Sequence, residues 1–124
     1  NKVLKLLINK GHKINSSRAL ILGVTFKENC PDIRNSKVID IYKELIQFNI
    51  KVDVYDPFAS KSNVKKEYGI DLIDIIDTKY DAIILAVSHN EFSKIDLKSI
   101  SSNNQTVIFD IKSFFERSLV DARL

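Results

Sequence analysis

Residues 19–57, ALILGVTFKENCPDIRNSKVIDIYKELIQFNIKVDVYDP, hold two apolar runs separated by a segment with helical periodicity. The first run, residues 19–24, is apolar throughout, which is typical of a strand buried on both faces. In the second, residues 51–57, Val52 and Val54 alternate with polar residues and are predicted to face inward, and the run ends at Pro57. A strand, a helix and a strand in succession predict a parallel pair joined by a right-handed crossover.

The helix between these strands has a predicted start, a predicted end and a predicted core-facing stripe. Asn35 or Ser36 can cap its first turn, and Asn49 is a candidate for its end. The predicted stripe is made of apolar side chains at helical spacing. Its members are Val38, Ile41, Tyr42, Leu45 and Ile46.

The rest of the chain continues the alternation of helices and strands. A helical pattern at residues 3–8 stops near Gly11, residues 15–17 resemble a linker, and a short helix at residues 62–69 ends on Gly69. A weak strand is predicted around Leu72, and buried strands at residues 81–87 and 106–112. This order predicts an α/β fold: an open, doubly wound, mostly parallel sheet of Rossmann-like type with helices on both faces. Ligands of such sheets bind at the carboxyl ends of the strands.

Composition excludes several classes of protein. The chain has 124 residues, of which 44% are hydrophobic and 28% charged, as expected for a globular domain. The net charge is +3 and the lysines are scattered, which disfavours a nucleic-acid groove. No apolar stretch approaches the roughly 20 residues that a membrane helix needs. The single cysteine excludes an internal disulfide and fits a reducing cytoplasm.

The loop after the first strand carries charged side chains where a dinucleotide-binding loop would carry glycines. Only Gly23 is present, whereas backbone contact with a pyrophosphate requires several glycines. Phe26 could lie against a base or sugar, while Lys27 and Arg34 could hold a phosphate. A solvated loop with a surface ion pair between Asp32 and Arg34 explains the same residues. Both interpretations stay open at this point.

Other candidate residues favour structural roles. Asp56 lies where a ribose-binding acid would follow the second strand, but without the glycine loop we interpret it as a turn residue. Cys30 has no nearby basic partner in the sequence and is interpreted as structural. His89 is either a general base or a turn residue. No cluster has metal-ligand spacing, and the residues after the first strand lack the acidic pair of a signalling receiver domain.

A resemblance to a known family rests on residues 22–57. It consists of the spacings Gly-x-Thr-Phe-Lys, Asp-x-Arg-x-Ser and Val-x-x-Tyr-Asp-Pro, followed by DAIILAVSHNEF and FDIKSFF at residues 81–92 and 109–115. This pattern resembles the C-terminal, UDP-binding domain of the UDP-glucose/GDP-mannose dehydrogenase family over nearly the whole chain. The segment KENCPDIRNS is most similar to bacterial UDP-N-acetylglucosamine and UDP-N-acetylgalactosamine 6-dehydrogenases.

The resemblance implies a function for the whole protein. Such an enzyme oxidises the C6 alcohol of a UDP-sugar to a carboxylate with NAD, for surface polysaccharide synthesis, in the cytoplasm and as a homo-oligomer. NAD would be bound mainly by an N-terminal domain, and the catalytic cysteine would belong to a middle domain. We expect residues 1–15 to be the end of a helix leading from that middle domain, and residues 16–124 to be the nucleotide-sugar-binding domain. Neither of those other domains lies in this sequence, so this chain alone is expected to be inactive.

The resemblance also implies site residues. Phe26, Lys27 and Lys112 match positions that contact the UDP-sugar, and Arg34 matches an arginine that reaches NAD. No catalytic residue and no metal ligand are expected in this chain. The alternative is a stand-alone α/β nucleotide-binding or interaction module without catalysis.

Overall fold

A computed structural model describes residues 2–34 and 36–123, which form a five-stranded sheet. The strands are β1 (Arg18–Leu22), β2 (Lys51–Tyr55), β3 (Ala82–Leu85), β4 (Val107–Asp110) and β5 (Ala122–Arg123). Their order is β2-β1-β3-β4-β5, and every neighbouring pair is parallel. The predicted parallel α/β fold is confirmed.

Helical segments cover both faces of the sheet. The α-helices are α1 (Lys2–Asn9), α2 (Val38–Gln47) and α3 (Lys61–Tyr68), and 3-10 helices lie at Ile14–Ser16, Asn90–Lys94 and Arg117–Leu119. Buried side chains of the three α-helices pack in one core with Ile21 and Ile84 of the sheet. On the other face, Leu20 and Leu85 pack against Phe92 of the second 3-10 helix. Among the described helices, none combines the length and the apolar character that crossing a membrane requires.

Helix α1 contributes directly to the first core. Val3, Leu4 and Leu7 are buried in it, and Leu7 is fully inaccessible to solvent. The helix therefore packs on the sheet as the other two do. The domain division after residue 15 stays a prediction.

The boundaries of α3 follow from its sequence. The hydroxyl of Ser60 accepts a hydrogen bond from the Asn63 amide, which satisfies a free donor of the first turn. Gly69 ends the helix with a φ of +72°, a left-handed conformation that glycine adopts without strain. The predicted glycine stop is confirmed.

The start and the stripe of α2 differ from the prediction. The helix begins after Lys37, which makes no capping hydrogen bond through its side chain, so the predicted cap at Ser36 is wrong. The alternative cap, Asn35, lies outside the described residues. Ile46 is 42% exposed, whereas Ile39 is buried. The helix is therefore rotated toward Ile39 relative to the predicted stripe.

Three further segments differ from the elements predicted for them. No strand forms around Leu72 within the described residues; instead the Ile73 amide donates to the Val54 carbonyl, and Leu72 is buried. The predicted linker at residues 15–17 overlaps the 3-10 turn at Ile14–Ser16. Strand β5 was not predicted because two residues carry no periodicity.

The strand order places a topological switch point at β1. From β1 the chain moves to β2 on one side, and β3 then pairs with the other side of β1. The loops that leave β1 and β3 therefore diverge, and a crevice opens at their carboxyl ends. The described residues of the loop between β1 and α2, and the segment after β3, lie at this crevice.

Candidate functional site

A cleft of about 320 Å³ opens at the carboxyl ends of the strands. Its floor is aliphatic and is formed by Val38, Ile41, Ala86, Val87 and Ile111. Its remaining lining residues are Thr25, Phe26, Lys37 and Lys112. The cleft thus combines an apolar floor, an aromatic ring and two cations.

The structure brings together only some of the predicted site residues. Phe26, which is 56% exposed, and Lys112 line the same cleft. Lys27 is exposed next to Phe26 but does not line the cleft, and Arg34 lies further along the loop. Sequence reasoning missed Lys37, whose position immediately before α2 was the available indication.

The lining of the cleft favours an anionic ligand. It contains two lysines and no aspartate or glutamate. Among the described residues, neither Lys37 nor Lys112 makes an ion pair. Helix α2 begins at Val38, so the partial positive charge of its first turn also lies at the cleft. A phosphate group would find uncompensated positive charge here.

Backbone amides of the first turn are already occupied. The amides of residues 23–26 all donate inside the protein, over N–O distances of 2.6 to 3.1 Å. Their acceptors are the carbonyls of Tyr55 and Asp32 and the carboxylate of Asp56. A phosphate in the cleft would therefore be held by side chains and not by this stretch of backbone.

Asp56 is the principal acceptor in this turn. Its Oδ2 accepts from the amides of Val24 and Thr25 and from Nε2 of His89 at 3.0 Å. Its Oδ1 accepts from the amides of Phe58 and Ala59 at 2.8 and 3.2 Å. Burial raises the pKa of the Asp56 carboxyl, but these donors outweigh burial and leave that pKa below its ordinary value. The interpretation of Asp56 as a structural turn residue is confirmed.

His89 is fully buried beside Asp56. Its Nδ1 accepts from the Asn29 amide at 2.8 Å, so the proton of the neutral ring is on Nε2. Nε2 lies 3.0 Å from Oδ2 of Asp56 and 3.1 Å from Oγ1 of Thr25, and it donates to them. The ring has no exposed nitrogen with which to act as a base. It also caps no helix through its side chain, although the 3-10 helix at Asn90–Lys94 follows it.

Asn29 completes the connection between the two loops. Its φ is +56°, and its side-chain oxygen accepts from the Asn90 amide at 3.0 Å. Asparagine tolerates this left-handed conformation better than most residues. The long-range contacts of Asn29 and His89 have no sequence pattern that could have revealed them.

Asp110 positions the segment that carries Lys112. It is fully buried at the end of β4, and its carboxylate accepts from the Lys112 and Phe115 amides at 3.0 and 2.7 Å. The turn between them contains Ser113 with a φ of +53°. Lys112 therefore stands on a fixed turn beside the cleft.

Two further candidates, Cys30 and Arg34, do not line the cleft. Cys30 is a partly exposed free thiol, and no hydrogen bond between described residues joins it to a base. Arg34 forms the surface ion pair with Asp32, with N–O distances of 3.0 and 2.9 Å. Within residues 2–34 and 36–123, no group of three or more His, Cys, Asp or Glu side chains could hold a metal ion.

Among known sequences, the chain has clearly similar relatives that match it over nearly its full length. It is 40% identical over 126 residues to UDP-N-acetyl-D-glucosamine 6-dehydrogenase of Salmonella typhi, covering 99% of the chain. The enzyme of the same name from Pseudomonas aeruginosa is 39% identical over 127 residues, covering 100% of the chain. The chain spans only 30% of the length of each relative.

Solved structures share the fold. The NDP-N-acetyl-D-galactosaminuronic acid dehydrogenase of Methanosarcina mazei superposes with a TM-score of 0.79 at 22% identity, over 91% of this chain and 24% of that one. The UDP-N-acetyl-mannosamine dehydrogenase of Staphylococcus aureus gives a TM-score of 0.71 at 23% identity, over 98% and 28%.

The family model for the UDP binding domain of the UDP-glucose/GDP-mannose dehydrogenase family matches residues 20–117. These residues include the loop, the cleft and Asp110, and the resemblance seen at residues 22–57 is confirmed. The chain belongs to the UDP-glucose/GDP-mannose dehydrogenase family, in which it corresponds to the UDP binding domain.

Proposed function

We propose that the chain binds the UDP-sugar substrate of an NAD-dependent UDP-sugar 6-dehydrogenase. The complete enzyme oxidises the sugar C6 alcohol to a carboxylate in the cytoplasm, for surface polysaccharide synthesis. The observation that carries the proposal is the cleft at the switch point, where an exposed ring and two lysines that form no ion pair with another described residue surround an aliphatic floor. The names of the two relatives near 40% identity favour a UDP-N-acetylhexosamine as the substrate.

Each group of the proposed ligand has a matching side chain. Lys112, which follows β4, and Lys37, which precedes α2, contact the diphosphate from different parts of the fold. Lys27 adds a third cation on the loop after β1. The Phe26 ring lies against the uracil or the sugar, since its exposed face offers apolar area to a flat ligand. Because the amides of residues 23–26 are occupied, these side chains supply the phosphate contacts.

The residues of this chain do not fit the main binding site of NAD. A dinucleotide pyrophosphate requires free amides after the first strand, and Asp56 uses two of them. Asp56 itself has five donors and no capacity left for a ribose hydroxyl. NAD is therefore assigned mainly to the N-terminal domain of the complete enzyme. NAD supplies the hydride acceptor of the oxidation when bound there.

Arg34 is the residue of this chain that we assign to the cofactor. Its ion pair with Asp32 uses Nε and Nη2, and a guanidinium has five N–H donors. The side chain is 83% exposed, so its remaining donors are open to a phosphate from another domain. Catalysis is assigned to the middle domain and its cysteine, with the complete enzyme as a homo-oligomer.

Calorimetric titration of this chain with UDP, UDP-N-acetylglucosamine and GDP tests the binding proposal. We expect binding of both uridine ligands, weaker binding of GDP, and a loss of about tenfold in UDP affinity on Lys112→Ala. Lys66→Ala, on the exposed side of α3, is the matched control and should bind as the wild type does. Equal binding of UDP and GDP, or an unaffected Lys112→Ala variant, would contradict the assignment of the cleft.

The catalytic proposal needs the complete protein. NADH formation from UDP-N-acetylglucosamine should be observed with it and not with this chain alone. Turnover by the isolated chain would overturn the assignment of catalysis to another domain. Absence of turnover by the complete protein with every UDP-hexose tried would overturn the enzyme class.

A further inference from the structure

We propose that His89 is a positioning residue that holds Phe26 and Lys27 in place for the ligand. This inference rests on the proposed function, because it concerns the same cleft. His89 follows β3, 62 residues after Lys27 in the sequence, and its side chain does not line the cleft. Its effect on the ligand therefore passes through the loop that it contacts.

The two ring nitrogens of His89 contact the loop on either side of the proposed ligand residues. Nε2 lies 3.1 Å from Oγ1 of Thr25, and Nδ1 accepts from the amide of Asn29 at 2.8 Å. Between these contacts lie residues 26–28, all of which are exposed. Within the described part of the chain, no hydrogen bond or ion pair holds the side chain of Phe26 or Lys27. Their position is set by the flanking residues: His89 contacts the hydroxyl of Thr25 on one side and the backbone amide of Asn29 on the other.

The neighbours of His89 keep the ring in one orientation and one tautomer. Asp56 accepts from Nε2, which leaves Nδ1 as the acceptor for Asn29. The rings of Phe58 and Phe92 lie with centroids 4.6 and 5.3 Å from the imidazole. A ring that cannot turn presents a donor to Thr25 and an acceptor to Asn29 at the same time.

The same contacts tie the loop to the floor of the cleft. Val87 lines the floor and lies two residues before His89, and the Asn90 amide donates to the side chain of Asn29. The loop with Phe26 and the end of β3 are therefore held as one unit. Loss of the contact between His89 and Asn29 would remove the hydrogen bond that fixes the Asn29 backbone amide. The segment would then be held by the Phe26–Asp32 backbone hydrogen bond, by the Thr25 hydroxyl, which donates to the Lys27 carbonyl at 3.0 Å, and by the contact between Asn29 and Asn90.

Two substitutions distinguish the roles of the two ring nitrogens. His89→Gln keeps a donor near the position of Nε2 and loses the acceptor for Asn29, whereas His89→Asn keeps an acceptor near the position of Nδ1. We expect His89→Gln to speed hydrogen exchange of the Asn29 amide at least about tenfold and to weaken UDP binding by about tenfold. His89→Asn should retain UDP affinity within about threefold of the wild type.

Leu7→Ala controls for a loss of stability alone, because Leu7 is fully buried in α1 and is not in the site. At a temperature where all variants are folded, it should leave the UDP Kd and the Asn29 exchange rate unchanged. A His89→Gln variant that binds UDP as tightly as the wild type, or that keeps its Asn29 amide protected, would overturn the positioning role. A wild-type chain that binds no UDP would instead overturn the proposed ligand, and the exchange experiment would still report on the contact between His89 and Asn29.

Discussion

Gly23 and Val87 approach so closely that a Cβ atom at Gly23 would lie 2.5 Å from the Cβ of Val87. The contact joins the ends of β1 and β3 at the switch point, directly beneath the cleft. The backbone nitrogen of Val87 would also lie only 2.9 Å from the added atom, so rotation of a side chain could not relieve the overlap. Glycine is required here by space as well as by its φ of +97°.

Gly23→Ala should therefore lower the free energy of unfolding by about 3 kcal/mol or more, from overpacking and backbone strain together. Gly69→Ala is the matched control, since Gly69 also has a positive φ but no atom within 4 Å of an added Cβ. It should cost about 1 kcal/mol. Urea denaturation of both variants measures the difference in unfolding free energy. Equal losses of stability in the two variants would show that the close approach to Val87 does not contribute.

Asp56→Asn should destabilise the chain by about 3 kcal/mol, because a neutral amide cannot accept from five donors and brings donors of its own. Asp71→Asn, which removes an exposed ion pair with Lys65, should change stability by less than about 1 kcal/mol. Thermal and urea unfolding of the two variants would compare them. A small effect at Asp56 would mean that its donors find other acceptors.

The lowered pKa of Asp56 also predicts a dependence of stability on pH. Its folded-state pKa lies below the ordinary 3.8, so the unfolded chain takes up the proton first as the pH falls. The contribution of Asp56 is complete above the ordinary pKa and is lost as the pH falls through the folded-state value. Unfolding free energies measured from neutral pH downward should decline less steeply in Asp56→Asn than in the wild type over this acidic range.

The ion pair of Arg34 can be tested by titration of Asp32. Hydrogen bonds from the Arg34 side chain and amide lower the pKa of Asp32 to about 2. NMR titration of the Asp32 carboxyl carbon should give that value in the wild type and a clearly higher one in Arg34→Gln. Lys27→Gln should change it little, since Lys27 acts only through a weak charge interaction. An unchanged pKa in Arg34→Gln would show that the pair does not persist in solution.

Lys37 and Lys112 should contribute to UDP binding together, since they line one cleft from different elements. Each single alanine variant should weaken UDP binding by about tenfold, and added salt should weaken wild-type binding more than that of either variant. A double-mutant cycle by calorimetry would show whether both contact one diphosphate, because shared contacts give non-additive losses. If Lys37→Ala binds as tightly as the wild type, only the Lys112 side of the cleft would hold the ligand.

The fold could be predicted because most of its strands are marked by short apolar runs in the sequence. Residues 19–24 and 82–87 are continuous apolar runs, which are typical of strands buried on both faces in a parallel sheet covered on both sides. Strand β5 could not be found in this way, since Ala122 and Arg123 pair with β4 through contacts that no periodicity marks. The exposure of Ile46 depends on how α2 rotates against the sheet, which its own spacing does not determine.

The sequence was enough to predict where the candidate site lies in the fold, but not the contacts that hold its residues in place. The charged loop and the strand ends indicated the edge of the sheet at which the cleft lies, and Phe26 and Lys112 line that cleft. Lys37 was missed because a lysine at a helix start resembles any solvated residue. The contacts of His89 with Asn29 and Thr25 join residues about 60 positions apart, and only the folded chain brings them together.

The occupied amides of residues 23–26 limit how this domain could be redesigned or could diverge. Adding glycines to the loop would not create a dinucleotide-binding domain, because Asp56 would still hold two of the amides that a pyrophosphate needs. Removing Asp56 first would release those amides and destabilise the turn at the same time. Exchange between the two kinds of nucleotide site would thus have to pass through a less stable intermediate sequence, which restricts the mutational routes between them.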